Sequence, residues 1–341
     1  MTMMEAIVCR EPGTFERFER ERPVPGPGEV LLRIHRVGIC GTDLHAFQGN
    51  QAYFTYPRIL GHELSAVIVA TDEPSPGLED GDRVIVIPYL SCGTCAACRT
   101  GKTNCCQRIA VLGVHADGGM QEYLSVPRSL LIPAGALSHD EIAIVEPLAI
   151  GAHALRRAAV TEADTVVVVG CGPIGIGLAA LAALRGCRVI ALDTNPHRLT
   201  FVRERIGIED TVVVGPGAAD RVAALTDGDL ARVVFDATGH RAALESGIDY
   251  MAHGGTYVLV GLSKGPLTFS HPAIHAKESN ILCSRNATRE DFLAVRSALE
   301  SGGFPTESYI THRTGFRDMI DRFGDWLNPD TGVIKAMVDW A

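Results

Sequence analysis

The run Thr165-Val166-Val167-Val168-Val169, followed at once by Gly170-Cys171-Gly172-Pro173-Ile174-Gly175, constrains this chain more than any other stretch. A short, nearly unbroken apolar run is the mark of a strand buried on both faces, as in a parallel sheet covered by helices. G-x-G-x-x-G in that position is a dinucleotide fingerprint. Gly170 permits the tight turn, and Gly172 lets the backbone approach a pyrophosphate. The helix opening at Pro173 and Ile174 stabilises that anion, and Gly175 allows helix and strand to pack closely. Asp193 ends the next strand, 18 residues after Gly175. A carboxylate there accepts hydrogen bonds from both ribose hydroxyls of adenosine and repels a 2′-phosphate. This favours NAD, with Arg198 close enough in sequence to soften the discrimination against NADP.

Further apolar runs at 187–192, 211–214, 232–235 and 256–260 alternate with helical stretches, which implies a doubly wound parallel sheet. Residues 5 to about 147 read differently, as short strands and turns punctuated by Pro23, Pro25, Gly26, Pro27 and Gly28. At 341 residues the chain suggests two domains. A net charge of −9 leaves no basic footprint for nucleic acid and argues against an anionic membrane surface. No apolar run reaches the length of a bilayer span, and no signal peptide is visible. Ten cysteines without a secretory signal read as thiols or metal ligands, so a cytoplasmic protein is expected.

Four of those cysteines, Cys92, Cys95, Cys98 and Cys106, follow the spacing C-x2-C-x2-C-x7-C. Four thiolates on one short loop are the ligand set of a closed tetrahedral zinc site. A second, sparser set is Cys40 in Gly38-Ile39-Cys40-Gly41-Thr42-Asp43-Leu44-His45, His62 in Gly61-His62-Glu63, and Glu146 in Val145-Glu146-Pro147-Leu148-Ala149. One thiolate, one imidazole and one carboxylate form an open zinc site with a position left for water or a substrate oxygen. Taken singly, Cys40 reads equally as a core thiol, His62 as a satisfied buried histidine and Glu146 as a surface charge.

In order along nearly the whole chain, the G-I-C-G-T-D-x-H segment, G-H-E, the four-cysteine lobe, E-P-L-A and the glycine fingerprint resemble the zinc-dependent medium-chain alcohol and polyol dehydrogenases. The resemblance implies an α/β fold, with a Rossmann domain at 149–283 and a β-rich GroES-like catalytic domain at 1–148 and 284–341. It implies two zinc ions per chain. Cys40, His62 and either Glu63 or Glu146 would hold the catalytic ion. Cys92, Cys95, Cys98 and Cys106 would hold the structural one, with Cys105 a neighbouring alternative in register. Thr42 matches the start of a proton relay, and His45 matches a histidine near the substrate. A homodimer or homotetramer is implied.

Glu146 stands where ethanol-type members carry cysteine, which points to a polyhydroxylated substrate. A narrower similarity is to bacterial L-galactonate and L-gulonate 5-dehydrogenases. It rests on residues 49–58, 86–89, 101–106, 113–119 and 284–288. That group carries proline and phenylalanine where this chain has Ala52 and Tyr53. It implies a sugar acid oxidised at C5, to tagaturonate or fructuronate, with neutral polyols and L-threonine as alternatives. A substrate carboxylate calls for a cation or donor. Arg285, Arg58, Lys277 and His115 are the candidates.

Overall fold

The computed structural model describes residues 2–51 and 54–340, so Ala52 and Tyr53 lie outside the described residues. The chain forms two compact units: Met1–Pro147 with Thr288–Glu300 and Tyr309–Ala341, and Leu148–Ala287 with Ser301–Ser308. The first division falls inside the helix Val145–Arg157. The chain returns to the first unit at Thr288 rather than at residue 284, and 301–308 pack with the second unit. An amphipathic helix, Arg289–Glu300, makes that return: it buries Phe292, Val295 and Leu299.

In the second unit, six parallel strands lie in the spatial order Thr211–Val213, Arg188–Asp193, Thr165–Val169, Ala231–Asp236, Met251–Leu259, Asn280–Cys283 among the described residues. The order reverses beside Thr165–Val169, which is the switch point of a doubly wound sheet. Val167, Val169, Ile190, Leu192 and Val234 fill the core there. The valine run is therefore buried on both faces, as its composition requires.

The first unit is built on the long strand Glu29–Ile39. It pairs antiparallel with Glu63–Thr71 on one side and Lys335–Asp339 on the other, and Tyr123–Pro127 extends the pairing at its first half. The register sets Gly38 opposite Glu63 and Ala336 opposite Ile39. Segments distant in sequence thus arrive at one end of one strand.

A glycine-rich loop fixes the approach to Glu63. Gly118, Gly119 and Met120 donate backbone hydrogen bonds to the carbonyls of Ile59, Gly61 and Leu60 at 2.8, 2.9 and 3.0 Å. A Cβ on Gly118 would sit 2.2 Å from the Gly61 carbonyl oxygen. Part of the stretch 113–119 therefore serves backbone packing beneath His62. Gly118→Ala should destabilise the protein by about 1–3 kcal/mol, the usual cost of overpacking. It should also lower zinc content; urea unfolding with metal analysis checks both.

Candidate functional site

Cys40 follows the long strand and caps the helix Gly41–Phe47; His62 immediately precedes the strand Glu63–Thr71. One buried carboxylate ties these two ends together. Asp43 accepts from the Cys40 backbone N–H at 2.9 Å and from the Gly61 N–H at 3.3 Å, and it is fully buried. Ligand atoms of Cys40, His62 and Glu63 all lie within 4.8 Å of one another. Nδ1 of His62 is buried with no hydrogen-bond partner, 3.8 Å from Asp43. Burial opposes a charge on His62, but Asp43, Cys40 and Glu146 outweigh it and hold the imidazole pKa well above its usual value. A soft thiolate, an imidazole and a hard carboxylate converging on a buried point fit a divalent zinc ion. The anionic surroundings that favour a protonated His62 favour a cation there equally.

The two glutamates differ. Glu63 belongs to the mutually close set, and both its oxygens face the ammonium of buried Lys335 at 2.6 and 2.7 Å. Glu146 starts the helix Val145–Arg157 and is not in that set; its Oε1 accepts a hydrogen bond from the Tyr89 hydroxyl. Burial pushes the Glu146 carboxyl pKa up, while His62 pulls it down. The Tyr89 hydroxyl is pushed well up by burial and by Glu146.

Sulfurs of Cys92, Cys95, Cys98 and Cys106 form the other close set, within 4.8 Å of one another. The two-residue ladder of Tyr89–Leu90 with Ala110–Val111 closes the base of this lobe. Backbone N–H groups of Cys92 and Arg108 both point at the Cys106 sulfur at 3.3 Å. The Arg108 guanidinium, itself hydrogen-bonded to Thr94, and the backbone N–H groups of Thr94 and Cys95 together lower the Cys92 thiol to about 5. Burial and its sulfur neighbours raise Cys98 to about 11. Four thiolates around one divalent ion leave net negative charge, which Arg108 offsets. Cys105 is exposed and outside the set.

In the second unit, Gly170 has φ +95°, and a Cβ on Gly175 would lie 1.8 Å from the Gly170 carbonyl oxygen. Gly172 caps the helix Pro173–Leu184, with Pro173 at its first turn and Ile174 beside it. Asp193 accepts from the Cys171 and Asn195 N–H groups at 2.6 and 2.8 Å, so the fingerprint turn and the acidic strand end are one hydrogen-bonded unit. Arg198 Nη1 stands 4.0 Å from Asp193.

The remaining candidates belong to both units: Thr42, His45, Arg58 and His115 to the first, Lys277 and Arg285 to the second. Thr42 is half-buried and His45 exposed, both on the helix after Cys40. Arg58 is tied to Asp117 and Thr55, each at 3.3 Å. His115 accepts from the Val111 N–H at 3.1 Å. Lys277 donates to the Ile248 and Met251 carbonyls at 3.0 and 2.5 Å. Arg285 is exposed just beyond the strand Asn280–Cys283. Sequence reasoning assigned no role to Asp43, Tyr89, Arg108 or Lys335, although Asp43 lies inside the G-I-C-G-T-D-x-H segment and Tyr89 inside the stretch 86–89. For Lys335 the available signal was a lysine at the head of the apolar run Ala336-Met337-Val338.

A fold of this kind carrying these two donor sets defines a zinc-type alcohol dehydrogenase. Residues 26–136 match the Alcohol dehydrogenase GroES-like domain family, and 173–301 match the Zinc-binding dehydrogenase family. The chain is 44% identical over 341 residues to L-galactonate-5-dehydrogenase of Escherichia coli K12, covering 99% of each. It is 34% identical over 320 residues to a sorbitol dehydrogenase of Halalkalibacterium halodurans, covering 91% of this chain and 92% of the relative. The RspB structure from E. coli CFT073, described as a short chain alcohol dehydrogenase complexed with NADH, superposes with a TM-score of 0.92. It shares 31% identity over 100% of both chains. The chain belongs to the zinc-type alcohol dehydrogenases of the medium-chain dehydrogenase/reductase family. Among the described residues, no helix is long and apolar enough to cross a membrane.

Cys106→Ser should remove one zinc from about two per chain, and Cys105→Ser should leave both. Metal analysis of the two purified variants checks the register.

Proposed function

We propose that the protein is an NAD-dependent zinc dehydrogenase that oxidises the C5 hydroxyl of a six-carbon sugar acid. The substrate is L-galactonate, giving tagaturonate, or L-gulonate, giving fructuronate. The observation that carries this reading is the convergence of Cys40, His62 and Glu63 on one buried point. The similarity to L-galactonate-5-dehydrogenase across the whole chain supports the substrate class. A zinc ion held by Cys40, His62 and a glutamate supplies the positive charge that makes an alcohol hydroxyl more acidic.

The chain's own residues do the rest. Asp43 keeps the Cys40 and Gly61 backbones in place through its two carboxylate oxygens. Thr42, in the first helical turn after Cys40, takes the substrate's hydroxyl proton at its Oγ1 and passes its own proton on toward water. C5 loses a hydride to NAD⁺ and the hydroxyl loses a proton, leaving a ketone, NADH and one proton. Asp193 accepts the adenosine ribose hydroxyls, and the helix beginning at Pro173 meets the pyrophosphate. A carboxylate on the substrate calls for a cation or donor, and Arg285, Arg58, Lys277 and His115 are the candidates for that contact. We also read the protein as a cytoplasmic homodimer or homotetramer. None of the ten cysteines is disulfide-bonded, which suits a reducing compartment, and the oligomer rests on the family likeness.

Cys40→Ser should cut turnover by at least about a hundredfold while the thermal melt stays close to wild type. Wild-type turnover in a variant shown to lack the catalytic metal would overturn the zinc reading. NADH formation on L-galactonate, L-gulonate, sorbitol, galactitol and L-threonine side by side tests the substrate class; preference for a neutral polyol would replace it. Asp193→Ala should weaken NAD binding about tenfold or more, the loss of charged hydrogen bonds, and narrow the preference over NADP. Fluorescence titration with both nucleotides measures this.

A further inference from the structure

Lys335 is fully buried, yet its ammonium sits inside a β-sheet. Its three donors are all used: Oε1 and Oε2 of Glu63 at 2.6 and 2.7 Å, and the Ile39 carbonyl at 3.1 Å. Lys335 and Glu63 lie on strands that flank the same central strand, so the ion pair must cross it. It does so at Gly38, which stands opposite Glu63. A Cβ on Gly38 would sit 2.1 Å from Glu63 Oε2 and 2.9 Å from Glu63 Cβ. Gly38 does not have a positive φ, so its backbone conformation is open to any residue. Glycine is needed there for space alone, and the space is filled by the Glu63 carboxylate.

A buried ion pair is a poor source of stability, because desolvation offsets most of the attraction. The arrangement calls for another role, and the shared carboxylate supplies one. Glu63 is the same residue that stands within ligand distance of Cys40 and His62. Two cations therefore have a claim on one carboxylate.

We propose that Lys335 is a positioning residue that competes with the catalytic metal for Glu63 and keeps that ligand releasable. The proposal rests on the reading of Cys40, His62 and Glu63 as the catalytic metal site. A carboxylate whose only buried counter-charge is the metal holds it tightly. A carboxylate shared with an ammonium holds it less tightly and can let go.

The test is the rate at which a chelator extracts the more labile zinc from the full-length, zinc-loaded protein, read together with the visible spectrum after Co²⁺ replacement. K335M should slow extraction about tenfold, the effect of deleting one unit charge at close range, and should change the Co²⁺ bands. K335R should restore the wild-type rate and spectrum. In an E63Q background, K335M should have no further effect on extraction. K335Q, which keeps a donor toward Glu63 without the charge, carries the same expectation if K335M does not fold. Extraction at the wild-type rate or faster from a cooperatively folded K335M or K335Q that retains its structural zinc overturns the proposal. So does an equal slowing in the E63Q background. A wild-type chain that holds only one zinc overturns the metal-site reading and the proposal together. Two zinc ions with unaltered extraction in the variants overturn the proposal alone.

Discussion

Antiparallel pairing of Glu29–Ile39 with Glu63–Thr71, in the register that sets Gly38 opposite Glu63, is the constraint on which the reactive centre depends. Strand pairing places Cys40 beyond the end of one strand and His62 just before the start of the other. A shift of one residue would turn every side chain of a strand to the opposite face, sending Glu63 away from Lys335 and from the thiol. Asp43 secures the register by bonding the backbone N–H of Cys40 and of Gly61 with its two oxygens. The loop 113–120 secures it from below, through glycines that let two backbones touch.

The two donor sets are gathered in different ways. Cys92, Cys95, Cys98 and Cys106 come from one short loop, so local turns suffice to gather them. All four positions are sulfur, which leaves no vacancy for a substrate. Nearby Arg108 and backbone N–H groups absorb the excess negative charge. Cys40 follows the end of one strand, whereas His62 and Glu63 stand at the start of its neighbour, so they need the sheet to meet. Their surroundings are rich in competing groups: Asp43 beside the imidazole, Lys335 on one glutamate, Tyr89 on the other. A mixed donor set with rivals for its carboxylate suits exchange, whereas a closed thiolate set suits permanence.

Much of this was readable from residues alone, for physical reasons. The valine run, the fingerprint glycines and Asp193 are local features whose spacing is dictated by one strand, one turn and one helix. The cysteine lobe is local as well. Cys40 and His62 were legible mainly through the joint order of motifs. Their individual side chains carry no signal that separates a ligand from a core residue. The choice between Glu63 and Glu146 was not legible, because it depends on which side chain faces which across the sheet. Arg58 and Lys277 read as candidate anion contacts because they are cationic. The structure shows both with close structural partners, Asp117 and Thr55 for one and two backbone carbonyls for the other. Which unit 301–308 pack with was likewise not legible, since that depends on long-range contacts.

By itself the sequence determined the fold class, the four-cysteine cluster and the dinucleotide fingerprint, since each is encoded by residue type at short spacing. Only the tertiary structure decided the company those residues keep. Lys335 lies 272 positions from Glu63, and nothing local links them. Their meeting requires three strands in one register and an absent side chain at Gly38 between them. Pairwise contacts across a sheet are set by long-range register and by the space left inside it, and neither is written in any short window of the chain.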